Sequence, residues 1–126
     1  MKKIVSTTAA PAAVGPYSQA VRAGNFLFCS GQIPVDPSTG SFVEGGVEQQ
    51  AEQVLKNVKA VLEAAGYSLS DVIKATVFAT NMGDFTTVNG VYASHFDKEP
   101  PARSFVEVSA LPKGALVEIE VVAWKE

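Results

Sequence analysis

The segment VEQQAEQVLKNVKAVLEAAG, residues 47–66, decides the fold because it predicts a long amphipathic helix. Its apolar residues recur at steps of three and four, which places them on one stripe of a helix. The stripe consists of Val47, Ala51, Val54, Leu55, Val58, Val61, Leu62 and Ala65. Gly66 follows it, where a glycine suits a left-handed C-terminal cap. We therefore predict a helix over 47–65 with one face toward a core.

The segments on either side of this helix predict β-structure. AVRAGNFLFCSG, residues 20–31, is typical of a hairpin that turns at Gly24-Asn25. VDPSTG, residues 35–40, has the composition of a turn. IKATVFAT, residues 73–80, alternates and is rich in β-branched residues, so it predicts a strand.

The C-terminal half predicts a second helix and two more strands. Residues 83–96 form the helix, and its apolar side carries Phe85, Val88, Tyr92 and Phe96. Strands are predicted over 104–108 and 116–124, joined by a turn through Pro112 and Gly114. Because that connection is short, we expect these last two strands to form an antiparallel pair.

The order of these elements predicts an α+β fold. Two helices that both return to one sheet are expected to cover one of its faces. The second face is partly apolar. In the strand that contains Phe26 to Phe28 the side chains on both faces are apolar, and in the strand 73–80 the second face mixes polar and apolar side chains. A partly apolar open face on a small chain is usually buried against another surface. We therefore expect a closed homo-oligomer whose sheet faces meet.

Composition predicts one domain over residues 1–126. The chain is 47% hydrophobic, which is enough apolar material for a core. No apolar run is long enough to span a bilayer, and none follows Lys2 and Lys3 as in a signal peptide. We expect no membrane association and a cytoplasmic location. The net charge is −3 and the ten basic residues are scattered, which argues against a nucleic-acid partner.

Cofactor and metal motifs are absent from the sequence. The single cysteine, Cys29, and the single histidine, His95, cannot supply a Cys/His zinc site. No G-x-G-x-x-G or P-loop pattern occurs, so nucleotide phosphates are not indicated. We therefore predict no metal site and no bound nucleotide.

One arginine stands at the entry of an otherwise apolar strand in PPARSFVEV, residues 100–108. The two prolines end the preceding element, and by alternation Arg103, Phe105 and Glu107 share one face. The guanidinium is either a solvated charge at a strand end or an anchor that binds a small carboxylate through two hydrogen bonds.

Two carboxylates interrupt the last strand, VEIEVVAW, residues 117–124. Glu118 and Glu120 share a face, and burial there would raise their pKa toward the range of a general base. The structural alternative is a cross-strand salt bridge between Arg103 and one of them on a solvated face.

Several blocks of the sequence together resemble the Rid family, formerly called YjgF, of enamine/imine deaminases. Members of that family are also named translation inhibitor or L-PSP endoribonuclease. The similarity covers essentially the whole chain in order. Its most specific blocks are GPYS (15–18), SGQIP (30–34), PARS (101–104) and EIE (118–120).

The resemblance implies a single RidA-like domain with a chorismate-mutase-like α+β fold, a mixed sheet and two helices on one face. It further implies a homotrimer whose sheets form a central barrel, with three clefts between subunits. The implied reaction is the hydrolysis of 2-iminobutanoate or 2-iminopropanoate to the 2-keto acid and ammonia, without a cofactor.

The resemblance also assigns roles to residues. Arg103 is expected to bind the substrate carboxylate, and Glu118 to activate water. Tyr17, Ser30, Gly31 and Asn89 are expected to line the substrate site.

Phe105 is a departure from the family pattern, which often has a small residue at this position. It is expected to share the cleft with Arg103 and to narrow it. Phe105 keeps open a second function, a non-catalytic carboxylate sensor or stress holdase. The third, an endoribonuclease, is disfavoured by the acidic composition and the single histidine.

Overall fold

The long helix forms as the sequence predicts. The structure, a computed structural model, describes all 126 residues, and helix α1 spans Val47–Ala64. At its start, the backbone N–H of Gly46 donates to Gln49 Oε1 at 3.0 Å. At its end, Gly66 adopts a φ of +82°, which lets the Tyr67 N–H donate to the Leu62 carbonyl at 2.9 Å. The predicted glycine cap is thus confirmed.

Eight strands and a second helix complete the chain. They are β1 (Lys3–Val5), β2 (Ala20–Ala23), β3 (Phe26–Gln32), β4 (Val35–Asp36), β5 (Ser41–Phe42), β6 (Val72–Ala79), α2 (Phe85–His95), β7 (Ala102–Glu107) and β8 (Val117–Trp124). The predicted helices and the five longer strands are confirmed within a few residues. Strands β1, β4 and β5 were not predicted, because two or three residues are too few to show an alternating pattern.

Six strands form one mixed sheet in the order β1-β2-β3-β8-β6-β7. Every neighbouring pair is antiparallel except β6 and β7, which are parallel. Strand β6 therefore lies between β7 and β8, and the prediction that β7 and β8 pair with each other is wrong.

The connections on either side of β7 explain this order. Helix α2 carries the chain from the end of β6 back to its start, so β7 runs parallel to β6. The connection to β8 then passes over the end of β6. There, the Val108 N–H donates to the Ala79 carbonyl at 2.8 Å, and the Thr80 N–H donates to the Leu116 carbonyl at 3.2 Å. A short connection can thus join two strands that flank a third.

Both helices cover the same face of the sheet, as predicted. The core joins the apolar stripe of α1 and the buried side of α2 to alternate residues of β3, β6 and β8. Leu27, Val77 and Ile119 are fully buried at its centre. The α+β architecture is confirmed, and neither helix has the length and apolar character that crossing a membrane requires.

The opposite face of the sheet, which we call the open face, carries exposed apolar side chains. Ile4, Val21, Phe28 and Val122 line up across four strands, and Phe26 and Trp124 extend the patch at one end. Phe28 is 50% exposed and Ile4 is 57% exposed. Surfaces of this kind are usually covered by another protein surface.

Candidate active site

Arg103 lies in an aromatic pocket at the edge of the sheet. Its guanidinium carbon is 4.8 Å from the ring centre of Tyr92, 5.5 Å from that of Phe105 and 5.8 Å from that of Phe85. The Nη1 group donates to Asn89 Oδ1 at 2.6 Å. Cation–π contacts and this bond hold the plane of the guanidinium in one orientation. We call these five residues the arginine cluster.

The arginine cluster contains no carboxylate. The one acid–base contact within ion-pair distance joins His95 Nε2 to Glu52 Oε1 at 3.0 Å, on the helix layer. The cross-strand salt bridge considered from the sequence is therefore not formed. Arg103 is half-buried, no carboxylate neutralises its charge, and its one hydrogen bond goes to the neutral amide of Asn89, so several of its N–H donors are available to a carboxylate.

Helix α2 supplies three members of the arginine cluster at helical spacing. Phe85, Asn89 and Tyr92 follow at steps of four and three, which places them on one face of the helix toward β7. Phe85 and Tyr92 were predicted only as core residues of this helix. The resemblance placed Asn89 in the site, and Phe85 and Tyr92 lie four residues before and three residues after it. This helical spacing was the signal that could have identified both rings as neighbours of Asn89.

Glu118 lies on the open face of β8 and has no partner. The half-buried carboxylate makes no hydrogen bond or ion pair with another side chain or backbone group. Burial raises the pKa of Glu118 above its usual range, and the neighbouring Glu120 carboxylate raises it further. A carboxylate of this kind can take a proton from water more readily than an ordinary glutamate.

Gly31 lies beside Glu118, at a point where β3 is irregular. The register between β3 and β8 shifts between Cys29 and Gln32, as in a β-bulge. A β-carbon added at Gly31 would overlap the Glu118 carboxylate and lie 2.8 Å from its carboxyl carbon. Any larger residue at position 31 must therefore displace this one side chain.

Replacing Gly31 with alanine is therefore expected to displace the Glu118 carboxylate rather than to unfold the chain. The obstacle is the flexible end of a side chain, and the backbone of Gly31 needs no glycine conformation. We expect the NMR-measured pKa of Glu118 to change while the melting temperature shifts little. Gly90→Ala is the control, because nothing lies within 4 Å of a β-carbon at that position and its backbone is helical. An unchanged Glu118 titration in Gly31→Ala would contradict this contact.

The N-terminal segment brings Tyr17 to the same side as Gly31. Ser30 Oγ donates to the Ser18 carbonyl at 2.6 Å, and the Ser30 N–H donates to the Gln19 carbonyl at 2.9 Å. Tyr17 is exposed and lines, together with Gly31, an open cavity of about 680 Å³. Glu118 and Ser30 do not line that cavity, and Gly31 is the residue that links it to Glu118. We call Glu118, Ser30, Gly31 and Tyr17 the carboxylate cluster.

Gln19 holds this segment in place, and the sequence did not single it out. Its buried amide accepts a hydrogen bond from the Thr7 N–H at 2.7 Å and donates to the Pro11 carbonyl at 2.7 Å. Polar side chains are buried when such bonds are made, and a glutamine in a loop gives no pattern that reveals them beforehand.

The two clusters lie on opposite faces of the sheet within one chain. Arg103 is in register with Ala75, whose side chain is in the core, whereas Glu118 is in register with Phe78 on the open face. Side chains of alternate residues point to opposite faces. The expectation that an arginine lies near the glutamates of β8 is thus wrong for a single chain.

Two other side chains with ionisable groups, Cys29 and Tyr92, are buried. Cys29 faces the core, where burial raises the pKa of its thiol to about 12, so it stays protonated. No group of three or more His, Cys, Asp or Glu side chains is arranged to hold a metal ion. Tyr92 buries a hydroxyl that finds no hydrogen-bond partner.

Known proteins match this chain over nearly all of its length. A sequence model of the family Endoribonuclease L-PSP matches residues 7–125. The RutC family protein PH0854 of Pyrococcus horikoshii is 58% identical, with all of both chains covered. The 2-iminobutanoate/2-iminopropanoate deaminase of Mus musculus is 49% identical, covering 98% of this chain and 91% of the mouse protein. The crystal structure of E. coli TdcF with bound serine has a TM-score of 0.95 and 48% identity, covering 98% of this chain and 99% of that one.

Proposed function

Because this chain belongs to the Endoribonuclease L-PSP family, which is the Rid family of the sequence analysis, we propose that it hydrolyses 2-imino acids to 2-keto acids and ammonia. Its substrates would be 2-iminobutanoate and 2-iminopropanoate, the compounds in the name of the mouse relative. The observation that carries the proposal is the half-buried Arg103, held by Asn89 and three aromatic rings and left without a carboxylate.

Arg103 would bind the carboxylate of the imino acid. A planar guanidinium matches a carboxylate through two parallel N–H···O bonds, and Asn89 already fixes its orientation. TdcF, a close structural relative, was solved with serine, a ligand that also carries a small carboxylate. Holding the carboxylate places the adjacent C2 carbon, where water must attack, at a fixed point.

Glu118 would manage the protons of the hydrolysis. It takes one proton as the water oxygen bonds to C2, and the π electrons of the C=N bond move to nitrogen. Glu118 passes that proton to the nitrogen and forms the neutral carbinolamine. It then moves the hydroxyl proton to the same nitrogen as the C–N bond breaks and the C=O bond forms. Ammonia leaves, so both protons of water end on nitrogen.

Two subunits would have to combine to build this site. Within one chain, Arg103 and Glu118 lie on opposite faces of the sheet. The open face that carries Glu118 also carries the exposed apolar patch of Ile4, Phe28 and Trp124. Burying that patch in a homotrimer, with the open faces forming a barrel, would bring Glu118 of one subunit toward Arg103 of the next and form three clefts.

The direct test follows keto-acid release in the presence of a competing reagent. A threonine dehydratase generates 2-iminobutanoate, and semicarbazide traps whatever imine has not been hydrolysed. The proposal expects the wild-type protein to reduce semicarbazone formation in proportion to its concentration. No reduction with either the threonine- or the serine-derived imine would favour the non-catalytic carboxylate sensor instead.

Mixing two inactive variants tests whether the site is shared. Arg103→Ala and Glu118→Gln proteins are unfolded together, refolded at equal concentration and assayed. If each cleft takes its arginine and its glutamate from different subunits, random assembly restores about a quarter of wild-type activity. Each variant refolded alone is the control. A mixture as inactive as its components would place both residues in one subunit's site and contradict the shared cleft.

A further inference from the structure

The aromatic rings beside Arg103 suggest which imino acids the site prefers, an inference that rests on the proposed function. Phe85 and Phe105 pack against each other with ring centres 4.7 Å apart and planes tilted by 58°. Phe85 is 37% exposed and Phe105 is half-buried, so the pair borders solvent beside the guanidinium. We call Phe85 and Phe105 the phenyl wall.

The phenyl wall is placed where a substrate side chain would lie. Both ring centres are within 6 Å of the guanidinium carbon of Arg103, at 5.5 and 5.8 Å. A carboxylate that binds Arg103 through two hydrogen bonds leaves the substrate's C3 and C4 atoms only a few ångströms beyond the guanidinium. Approach from the side of the phenyl wall would bring the first carbons of the side chain against the rings.

Two elements hold the wall independently of any ligand. Phe105 stands on β7 two residues after Arg103, on the same side of the strand. Phe85 is the first residue of α2, the helix that also supplies Asn89 and Tyr92 to the arginine. The wall and the anchor are thus fixed relative to each other by the same strand and helix, as specificity requires.

We propose that Phe105, together with Phe85, makes the site selective for 2-imino acids with aliphatic side chains over those with charged ones. Each methylene moved from water onto an apolar surface tightens binding by up to roughly fourfold. A terminal carboxylate placed there would lose its water without gaining a hydrogen-bond donor from the rings. The ring of Phe105 determines specificity and takes no part in proton transfer.

Stable 2-keto acids test this preference without catalysis. Dissociation constants are measured by calorimetry for pyruvate, 2-oxobutanoate, 2-oxopentanoate and 2-oxoglutarate. In the wild type we expect binding to tighten by roughly two- to fourfold per methylene from three to five carbons. We expect 2-oxoglutarate, which has the same chain length as 2-oxopentanoate but a charged end, to bind at least roughly tenfold more weakly than 2-oxopentanoate.

Variants assign the preference to the wall. Phe105→Thr keeps a strand-forming residue and should flatten the chain-length series, whereas Phe105→Leu should retain most of it. If Phe105→Thr does not fold, Phe85→Ala carries the same prediction from the helix. A flat wild-type series that still depends on Arg103 would overturn this inference and leave the proposed function standing. Binding that is absent, or unaffected in Arg103→Ala, would overturn the proposed function itself.

Discussion

Replacing Arg103 with alanine is expected to lower kcat/KM for 2-iminobutanoate hydrolysis by at least roughly 10²-fold, because a charged hydrogen-bonding partner of the substrate carboxylate is lost. The measurement is the semicarbazide competition assay with a threonine dehydratase. The Kd of 2-oxobutanoate should rise in parallel, since the same carboxylate is bound in the product. Arg103→Lys keeps the charge but not the planar fork and should recover only part of the loss.

Arg22 provides a matched control, because it is the only other arginine in the chain. Its guanidinium also lies over an aromatic ring, 5.6 Å from the centre of Tyr67, and its Nε donates to the Gly24 carbonyl at 3.1 Å. Arg22→Ala therefore removes the same charge and a similar cation–π contact outside the arginine cluster. Equal losses of activity in the two variants would show that Arg103 acts through general charge or stability, not as a substrate anchor.

The fold was predictable wherever a pattern runs over several residues. The α1 stripe repeats over eighteen residues and identified the helix together with its Gly66 cap. The pairing of β7 with β6 was not predictable from the length of a connection, because a short loop can pass over the end of one strand. The order β6-α2-β7 is a strand-helix-strand crossover, and only this crossover could have indicated a parallel pair.

The residue types of the candidate site could be named from the sequence, but their relative positions could not. A family resemblance named Arg103 and Glu118, and the structure finds both half-buried and free of protein carboxylate or amine partners. Their placement on opposite faces depends on the register of β6 with both of its neighbours. The register between strands that are distant in sequence cannot be read from either strand alone. The sequence therefore did not show that Arg103 and Glu118 lie on opposite faces of the sheet.

Replacing Glu118 with glutamine is expected to lower kcat by roughly 10²–10⁴-fold while KM changes little, because a proton-transfer group is lost and the carboxylate anchor is kept. The substitution should not destabilise the chain. The pKa of Glu118 is raised in the folded state, so its contribution to stability is present below the unfolded pKa and is lost as pH rises through the folded one. At neutral pH, Glu118→Gln should therefore melt no lower than wild type.

The pH dependence separates a base from a structural glutamate. In the wild type, kcat/KM should fall as the pH drops through the raised pKa of Glu118, at a higher pH than an ordinary glutamate would give. Glu120 is the matched control, since it lies two residues away on the same face, is exposed, and raises the pKa of Glu118 by its charge. Glu120→Gln should keep the activity and move this acidic limb to lower pH. A limb that stays in place in Glu120→Gln, or an active Glu118→Gln, would assign the proton transfer to another group.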